Sequence, residues 1–250
     1  MTSDQLGLTG ERTVPGIARE NYWFRRHLVV YEAVAPRCRG VVLEAGCGEG
    51  YGADLLAGGA ARVLALDYDA QAIGHVGRRY PGVTAARANL VALPLRDGVV
   101  DAVVSLQVIE HLWDQERFLR ECRRVLAPGG ALLLSTPNRI TFSPGRDAPL
   151  NPFHTRELAA AELAELLVTA GFVDVAVLGL HHGPPLRALD AEHGGSLVAA
   201  QTAAALAGVW PAALLRDVAA VTTADFALHP DGAANPIDAS LDLIATATVR

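Results

Sequence analysis

The stretch Val41-Val42-Leu43-Glu44-Ala45-Gly46-Cys47-Gly48-Glu49-Gly50, followed by Tyr51 to Ala57, decides the fold. Three β-compatible apolar residues run into a carboxylate, glycine then falls at every second position, and a helix-forming run begins. The pattern reads as strand, tight turn, helix. Glycines at 46, 48 and 50 let the backbone adopt conformations closed to other residues and come close to a bound molecule. The helix N-terminus beyond them offers free N–H groups. Such a turn grips a ligand.

Glycine-rich turns of this kind also hold dinucleotides, so the ligand has to be argued. The fingerprint G-x-G-x-x-G, counted from Gly46, needs glycine at 51, where the chain has Tyr51; counted from Gly48 it ends at Ala53, a weaker match. Glu44 is badly placed beside a pyrophosphate and well placed for a ligand carrying an ammonium group and a sulfonium. The residues Glu44 to Gly50 resemble motif I (E/D-x-G-x-G-x-G) of class I S-adenosylmethionine-dependent methyltransferases. The resemblance implies that Glu44, Gly46, Cys47, Gly48 and Gly50 line the cofactor, Cys47 as a small residue rather than a nucleophile.

Composition narrows the classes. The chain of 250 residues fits one α/β domain with insertions, and its net charge of -6 argues against a nucleic-acid backbone as the main partner. It contains no lysine; all 21 basic residues are arginine. A Walker-type phosphate lysine, a Schiff base and a pyridoxal anchor are thereby excluded. Three cysteines with no C-x-x-C fit reduced intracellular thiols. Met1 to Gly10 is polar and lacks a hydrophobic signal core, and the alanine-rich run Ser196 to Leu215 is broken by Gly208 and Pro211. A cytoplasmic protein without stable membrane insertion is expected.

Outward from the glycine turn, the landmarks alternate. Arg62 to Asp67 is a strand ending in an acid 17 residues past Gly50, where a carboxylate can accept hydrogen bonds from ribose hydroxyls. Tyr68 is placed to line an adenine, and Asp69 to cap a helix from Ala70 to Tyr80. Val83 to Ala88 is the third strand, closing in Asn89 and Leu90, which resembles the position where family members place an acid or amide near the adenine. Val100 to Leu106 is the fourth, ending at Gln107, and Asn89, Leu90 and Gln107 are further cofactor candidates; Leu132 to Arg139 is the fifth and its exit. The run Leu93-Pro94-Leu95 followed by Val100-Asp101 resembles the "LPF…FD" signature of the same methyltransferases. Alternation of strands and helices implies a doubly wound, mostly parallel sheet with ligand at the carboxyl ends of its strands.

The family's sheet has seven strands, which implies a sixth over Val173 to Leu180 and a last, antiparallel one over Leu241 to Val249. Residues 1–36 then form an N-terminal lid, 37–182 the cofactor-binding core, 183–238 an insertion expected to be helical, and 239–250 the last strand. Before the core, Glu20 to His27 is aromatic and basic ahead of an apolar helix from Leu28 to Ala35. Related enzymes often supply an arginine from here to the cofactor carboxylate; Arg26 is the candidate, with Arg25 close behind. Thr155 is expected to cap a helix whose stripe is Leu158, Leu163, Leu166 and Leu167.

Methyl transfer from a sulfonium is an in-line displacement, and a hydroxyl acceptor must also lose its proton. Histidine suits that task. His154, in the loop Ser143 to His154, and His111, after the fourth strand, are the catalytic candidates; His181 and His182 follow the sixth strand. Glu110-His111 resembles the E-x-x-E-H element of ubiquinone-type O-methyltransferases, where acids and histidine are associated with a divalent metal. Here Gln107 replaces the first acid, which leaves a metal open. The segments Glu11 to His27, Ser143 to His154 and Gly179 to Ser196 are similar to actinobacterial methyltransferases of cytoplasmic polysaccharides, the methylglucose lipopolysaccharides. That similarity implies a sugar hydroxyl as acceptor, and Trp23, Trp113 and Trp210 are residues that could stack on one. A small phenol or quinol, a nicotinamide-dependent oxidoreductase and a cofactor-free binding protein are the alternatives.

Overall fold

Helix α1 (Asn21–Val34) takes in both the aromatic-basic segment and the apolar run expected to follow it. Tyr22, Arg26, Val30 and Val34 recur every four residues and so share one face, which is buried. Glu20 to His27 is therefore largely the first half of a core-packing helix. The computed structural model describes residues 6, 7, 9 and 11–250, so the reading of Met1 to Gly10 lies largely outside the described residues.

From there the chain alternates as its pattern implies: β1 (Val41–Ala45), α2 (Tyr51–Ala57), β2 (Arg62–Asp67), α3 (Ala70–Arg79), β3 (Val83–Arg87), β4 (Val100–Leu106), α4 (Gln115–Val125) and β5 (Leu126–Pro137). Beyond it come α5 (Arg139–Phe142), α6 (Ala160–Thr169), β6 (Val173–His182), α7 (Pro184–Glu192), α8 (Leu197–Ala207), α9 (Ala212–Ala220), β7 (Phe226–Pro230) and β8 (Asp242–Thr248). The strands form one sheet in the order β3-β2-β1-β4-β5-β8-β6-β7. β3, β2, β1, β4 and β5 are mutually parallel, whereas β8 runs antiparallel between β5 and β6. The order reverses at β1 and β4, and the glycine turn leaves β1 at that switch point.

Successive strand residues feed opposite faces of the sheet. Val42 and Leu133 join a core with Tyr22, Tyr31 and Leu56, while Leu43, Leu132 and Leu134 join a second with Phe118, Leu119 and Leu163.

Three expectations are corrected. The described residues form eight strands rather than seven, and the 183–238 segment is not wholly helical. After α7, α8 and α9 the chain returns as β7, pairing antiparallel with β6 from Leu178 opposite Pro230 to His182 opposite Phe226. With β8 on its other side, β6 would otherwise present a bare edge, which β7 covers. Thr155 does not cap a helix: α6 begins at Ala160, where the Glu162 carboxylate accepts from the Ala159 N–H at 2.7 Å. The Thr155 hydroxyl instead donates to the carbonyls of Glu110 and Leu112 at 3.1 and 2.7 Å, tying the loop down. Leu163, Leu166 and Leu167 are buried on α6 as the stripe predicts, whereas Leu158, though fully buried, lies before the helix. Ser196 to Leu215 folds as α8 and α9, separated at Gly208 and Pro211. Among the described residues no helix is long and apolar enough to cross a membrane.

One charged pair ties the first helix to the last strand. The Arg26 guanidinium donates to both oxygens of Asp242 at 2.6 Å and to the Leu241 carbonyl at 2.9 Å, with both side chains buried. Removing one member of a buried pair strands the other charge. Asp242→Ala is expected to lower unfolding stability by about 3–5 kcal/mol, and the double variant Arg26→Met/Asp242→Leu to recover most of that loss. Guanidinium unfolding monitored by circular dichroism checks both.

Candidate functional site

The glycine turn is built by hydrogen bonds between the ends of β1 and β2. The N–H groups of Gly46 and Cys47 both donate to the Leu66 carbonyl, at 2.8 and 3.1 Å, and that of Gly48 to the Asp67 carboxylate at 2.8 Å. Gly46 and Gly50 hold φ of +89° and +98°, the left-handed region that strongly favours glycine. Glu49 braces the turn from behind, its carboxylate 2.8 Å from both the His75 ring and the Tyr80 hydroxyl of the α3 region.

Glu44 lies beneath this turn, fully buried. One oxygen accepts from the Tyr31 hydroxyl at 2.6 Å; the other is buried with no hydrogen-bond partner. Burial pushes its carboxyl up to about 8, the Tyr31 hydrogen bond pulling down and the Asp67 charge pushing further up. A Cβ at Gly52 would collide with the Tyr31 ring and the Glu44 carboxylate, so that glycine is needed for space. Cys47 is buried, and desolvation pushes its thiol well above the ordinary range, which fits a lining role rather than a nucleophile.

The other cofactor candidates sit along the same edge. Asp67 holds Gly48 with one oxygen and the Asp69 N–H at 2.9 Å with the other. Tyr68 is 72% exposed, with the Arg87 guanidinium 5.1 Å from its ring centre. Asn89 accepts from the Val91 N–H beside buried Leu90. Gln107, with φ of +58° in the left-handed region, leaves β4 with its side-chain amide donating to the Ser135 hydroxyl at 3.2 Å. Asp69 caps α3 by accepting from the Gln71 N–H.

The pre-motif arginine has a different setting. Arg26 is engaged by Asp242 and the Leu241 carbonyl at the β5–β8 side. The arginine set near the glycine turn is Arg12, whose guanidinium pairs with Asp69 and whose Cβ would be in van der Waals contact with a Cβ added at Gly48. Arg12 belongs to the N-terminal Glu11-to-Gly16 stretch, but nothing in its local pattern distinguishes it from the arginines of α1.

Along the edge at β4 and β5, Glu110, His111 and His154 come together, one donor atom of each lying within 4.8 Å of the others. Loop 143–159 carries His154 there, and Thr155 anchors it through the Glu110 carbonyl. The His111 and His154 rings are 4.8 Å apart and nearly perpendicular. The His111 Nδ1 lies 3.0 Å from the Phe153 carbonyl, which accepts only from a protonated nitrogen. His154 is held by Glu157 at 2.7 Å and stacks on Phe142. Glu110 is buried and accepts from the Thr136 hydroxyl at 3.0 Å; burial, with Asp242 and Glu157 nearby, pushes its carboxyl up to about 8. Glu157, close behind the candidate base, was missed by sequence reasoning; its spacing from His154 is the one signal that could have found it.

His181 and His182 take different surroundings. His182 links the Tyr22 hydroxyl at 2.7 Å to Asp190 at 2.6 Å, joining α1, β6 and α7, while the His181 Nε2 is buried without a partner. Of the tryptophans, Trp23 and Trp210 pack against the core and Trp113, two residues from His111, is 93% exposed.

A family model described as "Methyltransferase domain" matches residues 43–134, which span β1 to the middle of β5. A protein of Mycobacterium tuberculosis (strain ATCC 25618 / H37Rv) named "Probable S-adenosylmethionine-dependent methyltransferase" is 64% identical over 97% of this chain and 89% of its own. A protein of Mycolicibacterium smegmatis with the same description is 63% identical over 97% and 95% of the two chains. A crystal structure of an S-adenosylmethionine-dependent methyltransferase from Thermotoga maritima superposes with a TM-score of 0.61 over 92% of both chains at 18% identity, a likeness of fold. With a buried carboxylate under a glycine turn and relatives of this similarity along nearly its whole length, the chain belongs to the S-adenosylmethionine-dependent methyltransferases.

Proposed function

We propose that this methyltransferase transfers the methyl group to a sugar hydroxyl of a polysaccharide, with His154 receiving the hydroxyl proton. The observation that carries this reading is the placement of His154 and His111, rings 4.8 Å apart, at the carboxyl edge of β4 and β5; Trp113, two residues along the chain from His111, is exposed. A base and an exposed aromatic side chain suit an alcohol on a carbohydrate ring. The acceptor oxygen forms its bond to the methyl carbon while the carbon–sulfur bond breaks, its electron pair staying on sulfur. The proton passes to the Nε2 of His154. Glu44 takes the cofactor's ammonium, the Asp67 lone pairs left free by Gly48 and Asp69 take the ribose, and Tyr68, Asn89 and Leu90 frame the adenine. Arg26 reaches the cofactor carboxylate only by sharing its guanidinium with Asp242, and Arg12 only by sharing its own with Asp69. Cytoplasmic polysaccharide is the substrate class that the sequence resemblance favours.

A second reading concerns a divalent cation, favoured by the clustering of Glu110, His111 and His154. The donor set fits: one carboxylate and two imidazoles, each held through Nδ1 by a carbonyl or a carboxylate as metal-ligating histidines are. A cation there would acidify a coordinated hydroxyl.

Methyl transfer from radiolabelled S-adenosylmethionine to gluco-oligosaccharides, with phenols and quinols as comparison acceptors, tests the acceptor class; label in phenols alone would overturn the sugar reading. His154→Ala should lower turnover about a hundredfold or more with cofactor affinity nearly unchanged. An equal loss of cofactor affinity would remove His154 from the chemistry. For the cation, one Mn2+ should bind per chain and Glu110→Ala should abolish that binding in calorimetry, whereas turnover untouched by chelation would leave His154 to act alone.

Glu44 makes cofactor binding pH-dependent. Its carboxyl, raised to about 8, holds a proton in the free protein at pH 7, and an ammonium partner would draw the pKa down. Binding should therefore release a proton, and affinity should rise with pH up to about 8 and then level off. Calorimetry at pH 7 in two buffers of different ionisation enthalpy reads this as unequal apparent enthalpies; equal values would show no proton release. Glu44→Ala should weaken binding by about 1.5–3 kcal/mol.

A further inference from the structure

His154 is not an isolated imidazole. Its Nδ1 lies 2.7 Å from Glu157 Oε1, and its Nε2 lies 3.1 Å from the side-chain nitrogen of Asn151. The two side chains of the carboxylate–imidazole pair are 1% and 5% exposed. The orientation of the Asn151 amide is fixed independently, because its oxygen accepts from the Phe153 N–H at 3.0 Å. Asn151 therefore presents N–H to His154, and Nε2 must be the acceptor. The ring proton is then on Nδ1, donated to Glu157. A chain of three side chains selects one tautomer, with the lone pair on Nε2.

Glu157 has a second feature that ordinary packing does not explain. Its Oε2 is buried and has no hydrogen-bond partner, an arrangement that is costly in a folded protein. Buried polar atoms are nearly always paired, and exceptions call for a reason. Here the carboxylate's one hydrogen-bond partner is the imidazole, so its interaction is directed at His154 alone. The Phe142 ring, stacked at 5.4 Å, and the perpendicular His111 ring, at 4.8 Å, hold the imidazole plane from two sides.

We propose that Glu157 is the positioning residue of the transfer reaction: it fixes His154 in the Nδ1–H tautomer and aims the Nε2 lone pair at the acceptor hydroxyl, while Asn151 caps that lone pair until the acceptor displaces it. This inference rests on the reading of His154 as the group that meets the acceptor. When the hydroxyl oxygen attacks the methyl carbon and the carbon–sulfur pair departs onto sulfur, the hydroxyl proton moves to Nε2, which is free to take it only in this tautomer. With the proton on Nε2 instead, the ring would meet the acceptor as a donor and the step would have no base.

The test has two arms. Long-range 1H–15N correlation spectra of 15N-histidine-labelled protein, without cofactor or acceptor, read the tautomer directly. The wild-type His154 should show a protonated Nδ1 and an unprotonated Nε2, and Glu157→Gln, which preserves shape but can turn its amide to donate, should show a mixture or the reverse. In the transfer assay with gluco-oligosaccharides, Glu157→Gln should lower kcat about a hundredfold or more, with KM for cofactor and acceptor changed less than about threefold. Glu157→Asp, which keeps the charge, should recover part of the lost turnover, a rescue that a packing role would not give. An unprotonated Nδ1 in the wild type, or Glu157→Gln turnover within about twofold of wild type, would overturn the assignment. The spectra separate the two readings: absence of transfer to every sugar probe would defeat the acceptor assignment and leave the tautomer measurement to decide the role of Glu157.

Discussion

The structure depends on a carboxylate buried without a counter-cation. Glu44 ends the central strand β1, where desolvation opposes its charge and a tyrosine hydroxyl is its one side-chain hydrogen bond. Everything near it is shaped by that constraint. Gly52 is kept bare of a Cβ so that Tyr31 can reach it, and the second carboxylate oxygen is buried without a partner. A group so placed is unfavourable in the free protein and becomes favourable only when a cation arrives, which couples local stability to occupancy.

The parallel half of the fold was legible because its signals are local. Val41 to Ala57 carries strand, turn and helix within one short stretch, and the ends of β2 and β4 carry their own apolar runs and terminal polar residues. What escaped depends on distant partners. Phe226 to Pro230 follows three helices and ends in a proline, so nothing local declares it a strand; it is one because β6 offers an edge to pair with. Thr155 has the chemistry of a helix cap, but the Glu110 carbonyl, 45 residues earlier in the chain, competes successfully for its hydroxyl.

The site divides in the same way. Glu44, the glycines and Asp67 stand at fixed offsets from strand ends, and the structure joins them through Leu66 and Asp67. His111 and His154 could be named from the sequence, yet their mutual contact could not, because it is created by a loop folding back over β4. Arg26 shows the limit most clearly: a cationic side chain ahead of the glycine turn is visible in sequence, but its engagement with Asp242, 216 residues away, is visible only in three dimensions.

That same pair gives the sheet a temporal order. β8 lies between β5 and β6, so the strand synthesised after the other seven fills a position inside the sheet rather than at its margin. Until it emerges from the ribosome, β5 and β6 have no partner between them and the guanidinium on α1 has no carboxylate. Between the completion of β6 at His182 and the arrival of β8 at Asp242 the nascent chain has an open gap along two strands, and the guanidinium on α1 waits for its anion from early in synthesis until then. Non-local closure of this kind is slow and leaves unpaired edges exposed meanwhile. The final strand then acts as a wedge, joining the five-stranded part to the β6–β7 pair and bringing the carboxylate that fastens the first helix to them.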